Sequence, residues 1–142
     1  MKTNQLLVIL ALVGAVQTVT AGTDVPAPVS GPMTTVTQND ENENLLADSI
    51  GRTLYVFDVD LGQAAPVCTA DCSEIWPPYI VTEDEASALK APLGAVARTN
   101  KNLQVTYEGR PVYTYAFDRI QGGDKGDGIG NFWHYIELPA AK

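Results

Sequence analysis

One ten-residue unit occurs twice in the chain, and no other feature limits the possible folds as much. Residues 51–60 read GRTLYVFDVD and residues 109–118 read GRPVYTYAFD. Aligned without a gap, they pair Gly51 with Gly109, Arg52 with Arg110, Leu54 with Val112, Tyr55 with Tyr113, Phe57 with Tyr115 and Asp60 with Asp118. Each copy reads as a Gly-Arg turn, a strand whose residues alternate between two faces, and an acidic stop. In the first copy Leu54 and Val56 face one side and Tyr55, Phe57 and Val59 the other; in the second, Tyr113, Tyr115 and Phe117 share a face. A sheet with an aromatic side is therefore the expected centre of the molecule.

The flanking segments extend this reading. Asn44–Ala47 and residues 53–59 are two apolar runs around a Gly-containing turn, which predicts a β-hairpin. Residues 61–82 hold Pro66, Cys68, Cys72 and Trp76-Pro77-Pro78, which predicts a stapled loop followed by an extended segment without regular structure in its middle. Thr82 followed by EDEASAL predicts one or two helical turns. Strands are expected over 94–99, 103–108, 111–117 and 132–138, with a long Gly-rich loop over 118–131. The expected fold is mainly β: a single domain of antiparallel strands, residues 44–138, built from two related hairpin-containing halves near 44–80 and 94–137, with one short helix and a tail over 139–142.

Upstream, Lys2 precedes an apolar run from Leu6 to Val16 that ends in small residues. This is the layout of a secretory signal peptide over residues 1–21 with cleavage after Ala21; the alternative is an uncleaved anchor. Residues 22–43, rich in Pro, Gly, Thr and acidic residues, are expected to be a flexible tether, with a strand through Met33–Val36 as the alternative. No cysteine follows the apolar run before Cys68, so a lipidated N-terminal Cys is absent, and the expected location is secreted or periplasmic. The net charge of −8 disfavours nucleic acid and anionic membrane surfaces as partners.

The doubled Tyr-x-aromatic-x-x-Asp, Cys68-x-x-x-Cys72, Trp76-Pro77-Pro78, Arg98, Gln104 to Tyr107, Gly123-Asp124, Gly128 and Trp133 together resemble the family of secreted repeats of unknown function. That family is also described as predicted lipoproteins with a Tyr-x-(Phe/Trp/Tyr)-x-x-Asp motif. The resemblance spans residues 44–137 and implies export and a β fold without implying an activity. Many members look like lipoproteins, and this chain differs in lacking a lipidated Cys.

Candidate chemistry is sparse. Tyr55, Phe57, Trp76, Tyr113, Tyr115 and Trp133 form either a stacking platform for an envelope or extracellular ligand or an aromatic core. Asp60 and Asp118 are either a carboxylate pair or, since both copies carry them, caps of the following loops. Arg52 and Arg110 are expected to bridge to those aspartates or to be solvated, and Arg98, within a strand, needs a partner if buried. Cys68 and Cys72 form a disulfide in an oxidising compartment; the alternative is a redox or copper site completed by His134, the only histidine. Asp118, Asp124, Asp127 and Asn131 offer oxygen ligands for calcium, although their spacing is not that of an EF-hand. No nucleophile signature, phosphate-binding glycine loop or His-Glu-x-x-His occurs, and no catalytic residue is assigned. The leading reading is a non-enzymatic extracytoplasmic binding or interaction module.

Overall fold

The computed structural model describes residues 34–140; the expected signal peptide and the first part of the expected tether lie outside the described residues. Nine strands follow in chain order: β1 (Thr35–Gln38), β2 (Asn44–Ala47), β3 (Tyr55–Phe57), β4 (Ile80–Val81), β5 (Leu93–Ala97), β6 (Leu103–Tyr107), β7 (Arg110–Tyr113), β8 (Trp133–Tyr135) and β9 (Glu137–Leu138). Two five-residue helices, α1 (Asp71–Ile75) and α2 (Glu83–Ser87), lie between β3 and β5. All pairings are antiparallel, in a three-stranded sheet ordered β1-β2-β9 and a sheet containing β4-β6-β7-β3-β8, to which β5 adds through β6.

The mainly antiparallel β class follows the sequence; several details do not. The fold begins before Asn44, because β1 pairs with β2 in register from Thr35↔Ala47 to Gln38↔Asn44, so the C-terminal part of the expected tether is a strand. There is not one short helix but two, with 3-10 turns at Asp58–Asp60 and Ile129–Asn131. Helix α1 forms inside the Cys loop that the prolines made look irregular; Pro66 and Pro77 bracket the helix without entering it. Helix α2 starts at a capping box, with Thr82 Oγ1 accepting from the Glu85 N–H and the Glu85 carboxylate from the Thr82 N–H. The expected last strand is broken between β8 and β9, with Ile136 buried at the break.

The two copies of the motif pair with each other. β3 lies antiparallel to β7 with Tyr55 opposite Tyr113 and Val56 opposite Val112. Their flanks are completed crosswise. The segment after the second copy pairs with the first, as Tyr55↔Tyr135, Val56↔His134 and Phe57↔Trp133, and continues to β2. The segment after the first copy pairs with the second through the Pro78↔Tyr113 bridge and continues to β6. Single backbone bonds repeat likewise: Asp58 N–H donates to Phe132 O as Ala116 N–H donates to Ile75 O, and Leu46 N–H to Ile136 O as Val105 N–H to Tyr79 O.

Because side chains alternate along β3 and β7, this sheet has two unlike faces. One packs Leu46, Leu54, Val56, Val81, Val105, Val112 and Ile136 into an aliphatic core. The other packs Tyr55, Cys68, Trp76, Tyr113 and Trp133 into an aromatic one. Gly126 lies against the aromatic core so closely that a Cβ would stand 2.8 Å from Trp76 Cη2 and 2.9 Å from Tyr55 Cζ. Gly126→Ala is expected to destabilise the domain by about 1–3 kcal/mol, read as a lower denaturant midpoint with an unchanged m-value.

Candidate functional site

The aromatic face is the most densely organised part of the molecule. Tyr55 Oη donates to Asp118 Oδ2 at 2.5 Å, and Tyr113 Oη donates to Asp60 Oδ2 at 2.8 Å. Each phenol therefore binds the carboxylate of the other copy. The second oxygen of each Asp works locally and identically: Asp60 Oδ1 accepts from the Val67 N–H and Asp118 Oδ1 from the Lys125 N–H, seven residues on in both cases. Tyr55 Oη also accepts from the Gly126 N–H. Burial is the main reason that both phenols are held well above the ordinary tyrosine range, with the adjoining carboxylate adding to it. Burial likewise pushes the Asp118 carboxyl up, against the opposing Tyr55 hydrogen bond.

Around these tyrosines the other rings form a continuous ladder. Trp76 and Trp133 stack with centroids 3.8 Å apart and planes parallel; Phe57 stacks on the outer face of Trp133 at 4.1 Å, and Tyr115 leans on Trp76 at 4.4 Å. Phe132 meets Phe57 edge-on and Phe117 meets Tyr115 at a tilt. Tyr55, Tyr113, Trp76 and Trp133 are buried, so four of the six rings considered as a stacking platform cannot receive a ligand. They are core. Phe57 and Tyr115 stay partly exposed, and the ladder reaches solvent at Phe117 and Phe132, 50% and 51% exposed. Those two residues were not among the expected binding residues, because exposure at a strand's end is not visible in its alternation.

Cys68 and Cys72 are joined in a disulfide that closes the turn before α1. Arg98, which follows β5, is only 7% exposed and is satisfied by neutral acceptors, donating to the Cys68 carbonyl at 2.7 Å and to Gln104 Oε1 at 2.6 Å. Gln104 in turn donates to the Val112 carbonyl. Arg98 thus ties the disulfide loop to the β5–β6 hairpin.

The alternative Cys68–Cys72–His134 site is not assembled. The sulfurs are bonded to each other, and His134 Nε2 lies 2.9 Å from Asp58 Oδ2. His134 follows Trp133 along β8, and by strand alternation its side chain leaves the face that carries Trp133 and Cys68. The carboxylates considered for calcium have separate partners: Asp118 as above, Asp124 with Asn39 Nδ2, and Asp127 with the Tyr135 N–H. Among the described residues no group of three or more His, Cys, Asp or Glu is placed to hold a metal ion.

Neither arginine of the motif reaches its expected aspartate. Arg52 pairs with Asp48 at 2.7 Å and Arg110 with Asp58 at 2.7 Å, because a turn arginine lies at the strand end opposite to its own motif Asp. The Arg110 hydrogen bond is the main cause holding the Asp58 carboxyl below the ordinary range, with His134 adding to it. The Asp58–Arg110–His134 cluster was not foreseen; it depends on the β3–β7 and β3–β8 registers, which no local spacing encodes.

Residues 94–137 match the model of the family described as a secreted repeat of unknown function. The matched stretch coincides with the second of the two expected repeat units. No curated protein and no solved structure matches the chain. No helix among the described residues is long and apolar enough to cross a membrane.

The elevated phenols have a pH consequence. A group whose folded pKa is raised contributes stability that is full below its unfolded value, about 10 for tyrosine, and is lost as pH rises toward the folded value. Tyr55 and Tyr113 are therefore expected to ionise only as the domain unfolds. In an alkaline titration their tyrosinate absorbance should appear together with loss of the near-ultraviolet circular dichroism. Complete ionisation of all six tyrosines near pH 10 in a still-folded protein would contradict the crossed arrangement.

Proposed function

We propose that the protein is an extracytoplasmic, non-enzymatic binding module whose two related halves form a rigid frame for a surface of aromatic and aliphatic side chains. The observation that carries this reading is where the ring ladder ends. Phe132 emerges beside Phe57 and Phe117 beside Tyr115, and Val59, Ile75, Phe117 and Phe132 are all exposed. Bulky apolar side chains clustered at the surface carry a desolvation penalty that a soluble protein lowers by covering them. Rings fixed by stacking lose little further freedom when a ligand covers them, which favours binding.

The described residues support binding better than turnover. Asp60 and Asp118 are held by phenols and backbone N–H groups, Asp48 by Arg52 and backbone N–H groups, and His134 is paired to Asp58, itself paired to Arg110. The secreted character of the family matched over residues 94–137 supports action outside the cytoplasm, on an envelope or extracellular ligand.

A carbohydrate array screened with the purified protein, followed by tryptophan fluorescence titration of any hit, tests this. The expected result is saturable binding that Phe117→Ser and Phe132→Ser each weaken by about tenfold, as removing an aromatic contact of about 1–1.5 kcal/mol does, with the circular dichroism unchanged. Binding indifferent to both substitutions, or catalytic turnover of the hit, would overturn the reading.

A further inference from the structure

The two copies of the motif differ in what covers their turns. Gly51 has φ +88° and Gly109 has φ +81°, so both turns use a backbone conformation suited to glycine. Over Gly51 lies the side chain of Gln121: a Cβ on Gly51 would stand 2.8 Å from Gln121 Cγ. Gln121 Nε2 donates to the Ile50 carbonyl at 3.1 Å. Over Gly109 there is open space, with nothing within 4 Å of where a Cβ would stand.

The residue corresponding to Gln121 is also a glutamine. Gln63 stands to Asp60 as Gln121 stands to Asp118, and its N–H returns to the Asp60 carbonyl. Its carboxamide nevertheless has no hydrogen-bond partner among the described residues, and neither does the Glu108 carbonyl, the counterpart of Ile50. Between them opens a cleft of about 190 Å³. Pro66, Val96 and Pro111 give it apolar walls, and Gln63, Glu108 and Arg110 give it polar ones. Arg110 borders the cleft with its Nη2 already bound to Asp58; its Nε, buried and without an acceptor, is closed off from solvent.

We propose that this cleft between residues 60–66 and 108–111 binds a small neutral molecule through a carboxamide group. The carboxamide takes the place that Gln121 fills over the first turn. Its N–H donates to the Glu108 carbonyl, as Gln121 donates to that of Ile50, and its oxygen accepts from the Gln63 carboxamide. Anions are disfavoured because Asp60 and Glu108 border the cleft and Asp58 already neutralises Arg110. Two sources carry this chemistry: the acetamido group of an amino sugar and the amide of a peptide or of a Gln or Asn side chain. The proposal rests on the binding-module reading but uses a different surface from the exposed rings.

The test is a two-dimensional amide NMR titration of the purified full chain with N-acetylglucosamine and, separately, with N-acetylglutaminamide. Saturable shifts are expected at Gly109 and at the Gln63 carboxamide, for one probe or both; which one responds identifies the source. Ala65→Trp, which fills the cleft from its loop wall, is expected to weaken the effect by at least about tenfold. Gln121→Ala is expected to uncover the equivalent place and to add new shifts at Gly51, a response that a purely structural role for Gln121 would not give. Absence of saturable shifts with both probes, or shifts that persist in a folded Ala65→Trp variant, overturns the proposal. Phe117→Ser and Phe132→Ser leave these shifts in place, so failure of the ring surface and failure of the cleft are read separately.

Discussion

The crossed pair of phenol–carboxylate bonds is the interaction on which the rest of the fold depends. A buried carboxylate without partners is strongly destabilising, and so is a buried phenol oxygen. Here each satisfies the other, but only when Tyr55 lies opposite Tyr113 and both following loops are folded back over the sheet. The second oxygen of each Asp fixes its loop by a backbone N–H. The pair therefore sets the strand register and the loop conformation together, and it places Trp76 and Trp133 where they can stack.

That dependence explains which features a single sequence discloses. The doubled motif located β3 and β7, and their alternation separated an aliphatic from an aromatic face, because both are local properties with a period of two. The helical turns after Thr82 were legible because they too follow from a local pattern, though the capping box that starts them was not read. The Asp58–Arg110–His134 cluster, the crosswise pairing of the closing strands and the assignment of Arg98 to the Cys68 carbonyl were not. Each joins residues far apart in the chain, and a pattern of spacings carries no information about which strand lies beside which. β1 was read only as an alternative, a strand through Met33–Val36, for a different reason: Thr35–Gln38 is a mostly exposed edge strand, so it lacks the apolar alternation that marks a half-buried one.

The candidate sites were legible only in outline. The aromatic residues stood out in the sequence, but whether a ring is core or surface depends on what packs over it. The Trp76–Trp133 stack buries the centre of the set and leaves its ends open. The cleft over Gly109 lay beyond any reading of motifs, since it is defined by a difference: two similar turns, two corresponding glutamines, and only one of them folded down.

The exchange of closing strands also bears on the order of folding. The first copy of the motif reaches its final sheet only when Trp133–Tyr135 and Glu137–Leu138 arrive, near the end of the chain. Residues 44–47 can pair early with Thr35–Gln38, and Tyr55–Phe57 with Arg110–Tyr113, but the remaining edge of each stays open until β8 and β9 are available, and such long-range closure slows folding. The same topology that closes both edges of Tyr55–Phe57 in the finished domain leaves one of them open in the unfinished one.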